Sequence, residues 1–464
     1  MSGRRFTSSW ATSSWATSSW AAALMVALGG CARAPAISHE AQPSELTAVE
    51  PPSGPASPPS APPSAEPAAV QITAPLESRP LDAREVARLV EDARANDTAE
   101  LVLVKDDELV GDWRFTKAQG PIPVMSITKG ILSLAIGSLI DRGKLRLDQP
   151  VHELYPSWNT GSKRKVTIFH LLTHTSGLDE GKGTFEIYRQ RSFVQFTLDS
   201  DIVFEPGTHY RYSNRGANLV SGIVAKAAGM PTDRYVDEVL FEPLGIRVYS
   251  WSRDAVGQPH GLAGLHLLPR DLAKIGELLL HEGAYQGRQV VSRDWVQRSL
   301  SLGSATQPTN RRKGIGWTLI PDTTHISVDA TIVAGWRGAG ADEAFIAKTA
   351  PLVGRRFESV PSFVQALQQL FGDPKLTEWN QNTWQRDVPD ARFEFGPSVG
   401  IYAEGTLGQY LVVLPRDRLV AVRMRREPKN IAQRNDPART FPDFVERVRG
   451  LLDTGTGDDS VSRR

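Results

Sequence analysis

The stretch Ser126-Ile127-Thr128-Lys129-Gly130-Ile131-Leu132-Ser133-Leu134-Ala135-Ile136-Gly137-Ser138-Leu139-Ile140 decides how the chain reads. Ile127, Ile131, Leu134, Leu139 and Ile140 recur at helical spacing and Gly143 supplies a stop, which predicts an amphipathic helix. Ser126 and Lys129 stand three residues apart at its head, so both side chains project from one face. A serine hydroxyl is a weak nucleophile at neutral pH unless a base takes its proton. A lysine desolvated among apolar residues loses enough basicity to be that base. The helix N-terminus adds backbone N–H groups able to hold an oxyanion. The pairing is not specific alone, since Ser162 and Lys165 share the spacing in a polar, loop-like stretch.

Working outward, both ends of the folded region read as strand. Leu101 to Phe115 predicts strand, turn at Asp106-Asp107, strand. Tyr410 to Met424 repeats the pattern around Pro415-Arg416-Asp417, and a helix-like stretch follows from Phe441 to Leu452. Between them the pattern is helical, at Asn218 to Ala228 and Asp271 to Leu280 as well as at Ile127. The expected class is α+β, with an antiparallel sheet built from both chain ends, flanked by helices, and a mostly helical subdomain inserted between them.

The full chain has 464 residues, 40% hydrophobic and 23% charged, which suits one large or two small globular domains. With 53 Lys+Arg against 52 Asp+Glu, it carries no basic field for nucleic acid, so a small-molecule or peptide-like substrate is favoured. The single cysteine, Cys31, excludes an internal disulfide and a thiolate metal site, and the nine histidines show no metal-ligand spacing. No metal and no cofactor are expected.

Residues 1–30 read as a signal peptide: Arg4 and Arg5, a five-residue Ser-Ser-Trp-Ala-Thr repeat from Ser8 to about Ala21, then an apolar run from Ala21 to Leu28 too short to span a bilayer. Leu28-Gly29-Gly30-Cys31 resembles the lipobox of bacterial lipoproteins, which makes Cys31 the lipidation site. Residues 31–81 are rich in Pro, Ala and Ser and predict a disordered, semi-extended tether. The expected location is the bacterial cell envelope, lipid-anchored to the outer membrane and facing the periplasm. The folded domain is expected over 82–452, with a polar tail at 453–464.

A second candidate cluster is Tyr212-Ser213-Asn214, preceded by Phe204-Glu205-Pro206-Gly207. A tyrosine near a lysine can relay a proton, and an amide can orient a substrate carbonyl. These motifs, in order with Val166-Thr-Ile-Phe-His170-Leu-Leu-Thr-His174-Thr-Ser-Gly177-Leu178, Gly261-Leu-Ala-Gly264 and Pro269-Arg-Asp271, resemble the serine β-lactamase-like superfamily. Its members include class C β-lactamases, penicillin-binding DD-peptidases, β-lactamase-fold esterases and 6-aminohexanoate-dimer hydrolases. The resemblance covers about Asp82 to Leu452 and implies that Ser126 is the acylated nucleophile, Lys129 its activating partner and Tyr212 the proton relay.

The third motif of that superfamily, Lys- or His-x-Gly on a strand beside the site, is matched by Ala403-Glu404-Gly405-Thr406, followed by a strand from Tyr410. This resembles the esterase and amide hydrolase branch. Ala403 stands where the cation is expected, which removes the charge partner of a penicillin carboxylate. Glycine at 405 lets the strand edge approach substrate, and the Thr406 N–H joins that of Ser126 in the oxyanion hole. Glu404 places a carboxylate beside that position. Lys348-Thr349-Ala350 is a near match to the same motif.

Two further patterns compete. Gly396-Pro397-Ser398-Val399-Gly400 fits a nucleophile elbow, but a strand follows it and no histidine lies beyond His325. His174 reads as a structural histidine, and Asp271 as a residue near a helix N-cap. Residues 335–400, with Trp336, Trp379 and Trp384, form a long insertion that is expected either to cover the cleft as a lid or to pack on its own tryptophans. The chain thus reads as an envelope serine hydrolase of ester or amide bonds. The alternatives are a DD-peptidase or β-lactamase, and a catalytically silent wall-binding lipoprotein.

Overall fold

In a computed structural model, residues 78–300, 312–372, 377–383, 386, 388–430, 433, 434 and 436–452 are described. The expected signal peptide, Cys31, most of the tether, Trp384 and the 453–464 tail lie outside them. Six consecutive residues are buried in each of two neighbouring strands, Gln409–Leu414 and Leu419–Met424, so the centre of the sheet is covered on both faces. That demands apolar side chains at every position but the few polar ones that find partners.

The main sheet has seven antiparallel strands. We number the strands used below β1 (Glu100–Lys105), β2 (Glu108–Arg114), β3 (Ile122–Pro123, outside this sheet), β4 (Arg312–Lys313), β5 (Thr318–Pro321), β6 (Thr324–Ser327), β7 (Arg392–Phe395), β8 (Ser398–Gly405), β9 (Gln409–Leu414) and β10 (Leu419–Met424). The order across the sheet is β2-β1-β10-β9-β8-β5-β4, with Val102 opposite Val422 and Leu411 opposite Val422. First and last strands of the domain therefore lie side by side, as the sequence pattern predicts.

Alternation along these strands feeds two cores. Val102, Val104, Leu411, Val413, Val420 and Val422 share one core with helices α2 (Thr128–Asp141), α4 (Asn214–Ala228) and α5 (Pro269–Leu280), of which α5 lies directly on β1, β9 and β10. Leu101, Leu103, Tyr410, Val412 and Leu419 face the other way, onto Leu89 and Ala93 of α1 (Ala83–Ala95) and Phe444 and Val448 of the C-terminal helix Phe444–Arg449. That last helix starts later than the sequence pattern suggests. Phe441 takes a left-handed φ of 53° and precedes Pro442, a position that disfavours helix. Conversely, α4 starts a turn early because Ser213 caps it, accepting from the Gly216 N–H.

Helix α2 is buried nearly all round, the mark of a central helix. Gly130, Ser133 and Gly137 form a small-residue stripe that receives two indoles. A Cβ on Gly137 would stand 2.2 Å from the Trp295 ring, and one on Gly130 2.7 Å from Trp317. Glycine here is a packing requirement, overriding its poor helix propensity.

The insertion grows out of the sheet as a continuation of the β5–β8 ladder: Ser398 pairs with Pro321, and Thr324 with Phe395 three residues further. It carries a three-stranded sheet and a core of its own around Trp336, Phe345, Phe357, Phe363 and Trp379. The Trp336 and Trp379 rings meet edge to face at 5.3 Å. Its root is at the Ser398 end of β8, about 23 Å along the strand from Gly405 at ~3.3 Å per residue. Trp336 and Trp379 of the expected 335–400 insertion thus lie in a core that belongs to the insertion itself. Lys348 lies on one of its helices and pairs with Glu378, which removes Lys348-Thr349-Ala350 as the third motif.

Replacing Thr324–Phe395 by a short turn is expected to leave a single cooperative thermal transition, because Pro321 and Ser398 already face each other across the ladder. Aggregation or loss of that transition would show that the insertion supports the main cores.

Candidate active site

Three segments converge on Ser126. The first is its own turn. Met125, immediately before it, has φ +52°, a costly conformation for a residue with a side chain, and the turn is held by the Thr128 hydroxyl donating to the Met125 carbonyl at 2.7 Å. Ser126 thus occupies a 3₁₀ turn of Met125–Ile127 just ahead of α2, one step N-terminal of where the apolar spacing alone would start the helix.

The amine of Lys129 lies 3.2 Å from Ser126 Oγ and donates to the Leu262 carbonyl at 2.6 Å. That carbonyl is delivered by Gly261-Leu-Ala-Gly264. Asn218 on α4 accepts the N–H groups of Gly261 and Leu262 at 2.9 and 3.2 Å, and a Cβ at Gly261 would overlap the Ala217 carbonyl at 2.0 Å. Burial lowers the amine to about 7, only partly opposed by Glu180, so a neutral amine is available at neutral pH.

Tyr212 donates its hydroxyl to Ser126 Oγ at 2.9 Å. Burial first, then the charges of Glu404 and Glu180, push its ionisation well above that of free tyrosine, so it remains a phenol. His174 sets its position. The two rings are 4.7 Å apart, and His174 takes the Ser213 N–H on Nδ1 at 3.1 Å and the Arg211 N–H on its carbonyl at 2.8 Å. Burial, with Lys129 and Lys313 nearby, lowers the imidazole to about 3, so it is a neutral acceptor. The expectation of a structural histidine fits this geometry.

Glu180 was not picked out in the sequence. Its carboxylate accepts from the Ser213 hydroxyl and from the N–H groups of Asn214 and Arg215 at 3.0 and 3.4 Å, fastening the first turn of α4 behind Tyr212. Its position just past Gly177 is the one cue, and nothing in its spacing separates it from Asp179. The Leu262 carbonyl was equally hidden, because a backbone acceptor leaves no mark in residue type. Asn214, expected at the substrate, donates its amide to Thr184 Oγ1 of α3 (Thr184–Tyr188) at 3.1 Å.

The third segment is the end of β8. A Cβ on Gly405 would stand 2.7 Å from the Val124 carbonyl and 3.2 Å from the Ser126 nitrogen, so the strand edge reaches the nucleophile's backbone only because 405 is glycine. Thr406 follows in an exposed turn, Ala403 is buried in the core, and Glu404 is half-buried between them. Beside this edge, Lys313 of β4 donates to Thr318 of β5 at 2.7 Å, a cation that the sequence reading did not pick out. Ser398 lies on β8 itself, so the Gly396–Gly400 pattern forms no elbow, and Ser162–Lys165 is a surface 3₁₀ turn. Asp271 sits in the first turn of α5, paired with Lys274. Among the described residues, no group of His, Cys, Asp and Glu is arranged to hold a metal.

A serine, a neutral amine and a phenol meet on one oxygen beside a sheet formed by both chain ends, an arrangement able to activate a serine hydroxyl. The family model for Beta-lactamase matches residues 86–439, and the chain belongs to that family. Esterase EstB of Burkholderia gladioli is 35% identical over 26% of this chain and 36% of its own length. The 6-aminohexanoate-dimer hydrolase of Paenarthrobacter ureafaciens is 22% identical over 40% of this chain and 52% of its own. The matches thus span about a third and half of these relatives. A Bacteroides dorei DSM 17855 protein provisionally named a β-lactamase has the same fold, with TM-score 0.56 and 17% identity, over 80% of this chain and 99% of that one.

Gly405→Ala is expected to lower the rate of Ser126 acylation at least ~10-fold by pushing β8 off the nucleophile, part of the loss that follows removal of an oxyanion donor. Stopped-flow labelling of Ser126 checks this, and an unchanged rate would detach β8 from the site.

Proposed function

We propose that the protein is a serine hydrolase that cleaves an ester or amide bond through an acyl-enzyme on Ser126. One observation carries the proposal: Ser126 Oγ is shared by the neutral Lys129 amine at 3.2 Å and the Tyr212 hydroxyl at 2.9 Å. Ser126 Oγ attacks the substrate carbonyl while its proton passes to Lys129. The N–H groups of Ser126 and Thr406 hold the oxyanion. The proton reaches the leaving alcohol or amine through the Tyr212 hydroxyl, and water then releases the acid by the reverse route. Esterase and amide hydrolase relatives support this reading, and Ala403 in place of a cation favours neutral substrates over penicillins.

The burial that lowers Lys129 and raises Tyr212 supports the amine as the base and the phenol as the donor. Because Lys129 must be neutral, labelling of Ser126 by a fluorophosphonate is expected to rise as pH passes 7 and to level off above it. Lys129→Ala should abolish the rise. Adduct mapping by mass spectrometry on the folded chain tests the proposal itself, and its absence from Ser126 would leave the silent wall-binding protein as the better reading. Hydrolysis of nitrocefin that disappears in Ser126→Ala would instead promote the DD-peptidase or β-lactamase reading.

We further propose, on the sequence Leu28-Gly29-Gly30-Cys31 alone, that the hydrolase is carried at the cell envelope by a lipid on Cys31. Cys31→Ala is expected to move the protein from the membrane to the soluble fraction.

A further inference from the structure

The oxyanion pocket proposed above needs two N–H groups, on Ser126 and Thr406, that belong to opposite ends of the fold. Their separation has to be held to a fraction of an ångström for both to reach one oxygen. One fully buried side chain connects the two segments. Gln409 is the first residue of β9, directly opposite Gly405 in the ladder, and its side chain has no solvent exposure. Its amide nitrogen donates to the Pro123 carbonyl at 2.8 Å and to the Arg425 carbonyl at 2.7 Å, and its amide oxygen accepts the Arg425 N–H at 2.7 Å. Toward β10 the side chain therefore acts as one more backbone step beyond the last ladder residue, Met424. Toward β3 it grips the carbonyl three residues ahead of Ser126.

We propose that Gln409 is a positioning residue that sets the distance between the two halves of the oxyanion hole. The backbone of Gln409 holds Gly405 and, through the turn closed by the Gly408 N–H on the Gly405 carbonyl at 3.1 Å, the intervening Thr406. Its side chain holds the strand that leads into Ser126. Arg423 completes the clamp behind the turn, donating to the Gly408 carbonyl at 2.5 Å and the Thr440 carbonyl at 3.2 Å. A Cβ on Gly408 would overlap the Thr440 carbonyl at 2.0 Å, so the turn has no room to slide. Both donor positions of the Gln409 amide and its acceptor are filled. Substituting it frees β3 from β8 and also strands buried polar groups.

The inference rests on the hydrolase reading, and the experiment separates the two. Full-length wild type, Gln409→Leu and Gln409→Glu are labelled with a fluorophosphonate, recording both the rate constant and the final fraction labelled. Inhibition by 1,1,1-trifluoro-2-octanone, whose adduct carries the oxyanion, is measured alongside. The expected result is a rate constant about 10- to 100-fold lower in Gln409→Leu, with the final fraction near that of wild type and the ketone weakened in parallel. Gln409→Glu, which keeps the acceptor and one donor when protonated, is expected to fall between, and it stands in if the leucine variant does not fold. A merely structural role would lower the melting temperature or the final fraction while leaving the rate constant and ketone affinity of the labelled fraction at wild-type values, which would overturn the inference. A wild type that is never labelled would overturn the hydrolase reading instead.

Discussion

Removal of water from the Lys129 amine is the constraint on which the site depends. The nearest carboxylate to act on it, Glu180, raises its basicity less than burial lowers it, so the balance falls to the neutral form. An ammonium in the same place would need a close counter-charge, and the partners it has are a carbonyl and a hydroxyl. The same dry environment moves Tyr212 the opposite way, because for a phenol the charged form is the deprotonated one. A single physical cause thus moves the two groups in opposite directions on either side of one oxygen.

That dryness is a product of packing. Helix α2 is enclosed on all sides, and its glycines let two tryptophans close over the turns just beyond Lys129. Helix α4 contributes Asn218, which holds the loop bearing the Leu262 carbonyl, and its N-terminus holds Glu180, which in turn steadies the Tyr212 segment. The strain at Met125 persists because the residues on both sides of it are held: Val124 by the Leu265 carbonyl and Thr128 by that of Met125. The inserted subdomain has its own core and its root at the far end of β8.

At the strand edge beside Ser126 the charges are mixed, with Glu404 on β8 and Lys313 on β4. Ala403 belongs to the core, and the Glu404 carboxylate is close enough to raise Tyr212 further.

Much of this was legible from residue order. The apolar period at Ile127 to Ile140, the two strand-turn-strand patterns at the chain ends and the Ser126, Lys129 and Tyr212 motifs point to the α+β class and to the groups that meet on one oxygen, because periodicity and side-chain chemistry are local properties. What stayed hidden is what depends on partners distant in sequence. The Leu262 carbonyl, the His174 and Glu180 supports of Tyr212, the redirection of Asn214 to Thr184, and the bridge from Gln409 to Pro123 exist only once segments meet in space. The insertion shows the same division: its length and tryptophans were readable, but the separate core they form and the end of β8 it leaves from exist only in the fold. The sequence by itself determined which groups could react. The tertiary structure alone decided how dry they are and how far apart they stand, because desolvation and backbone separation are set by the neighbours a fold brings together.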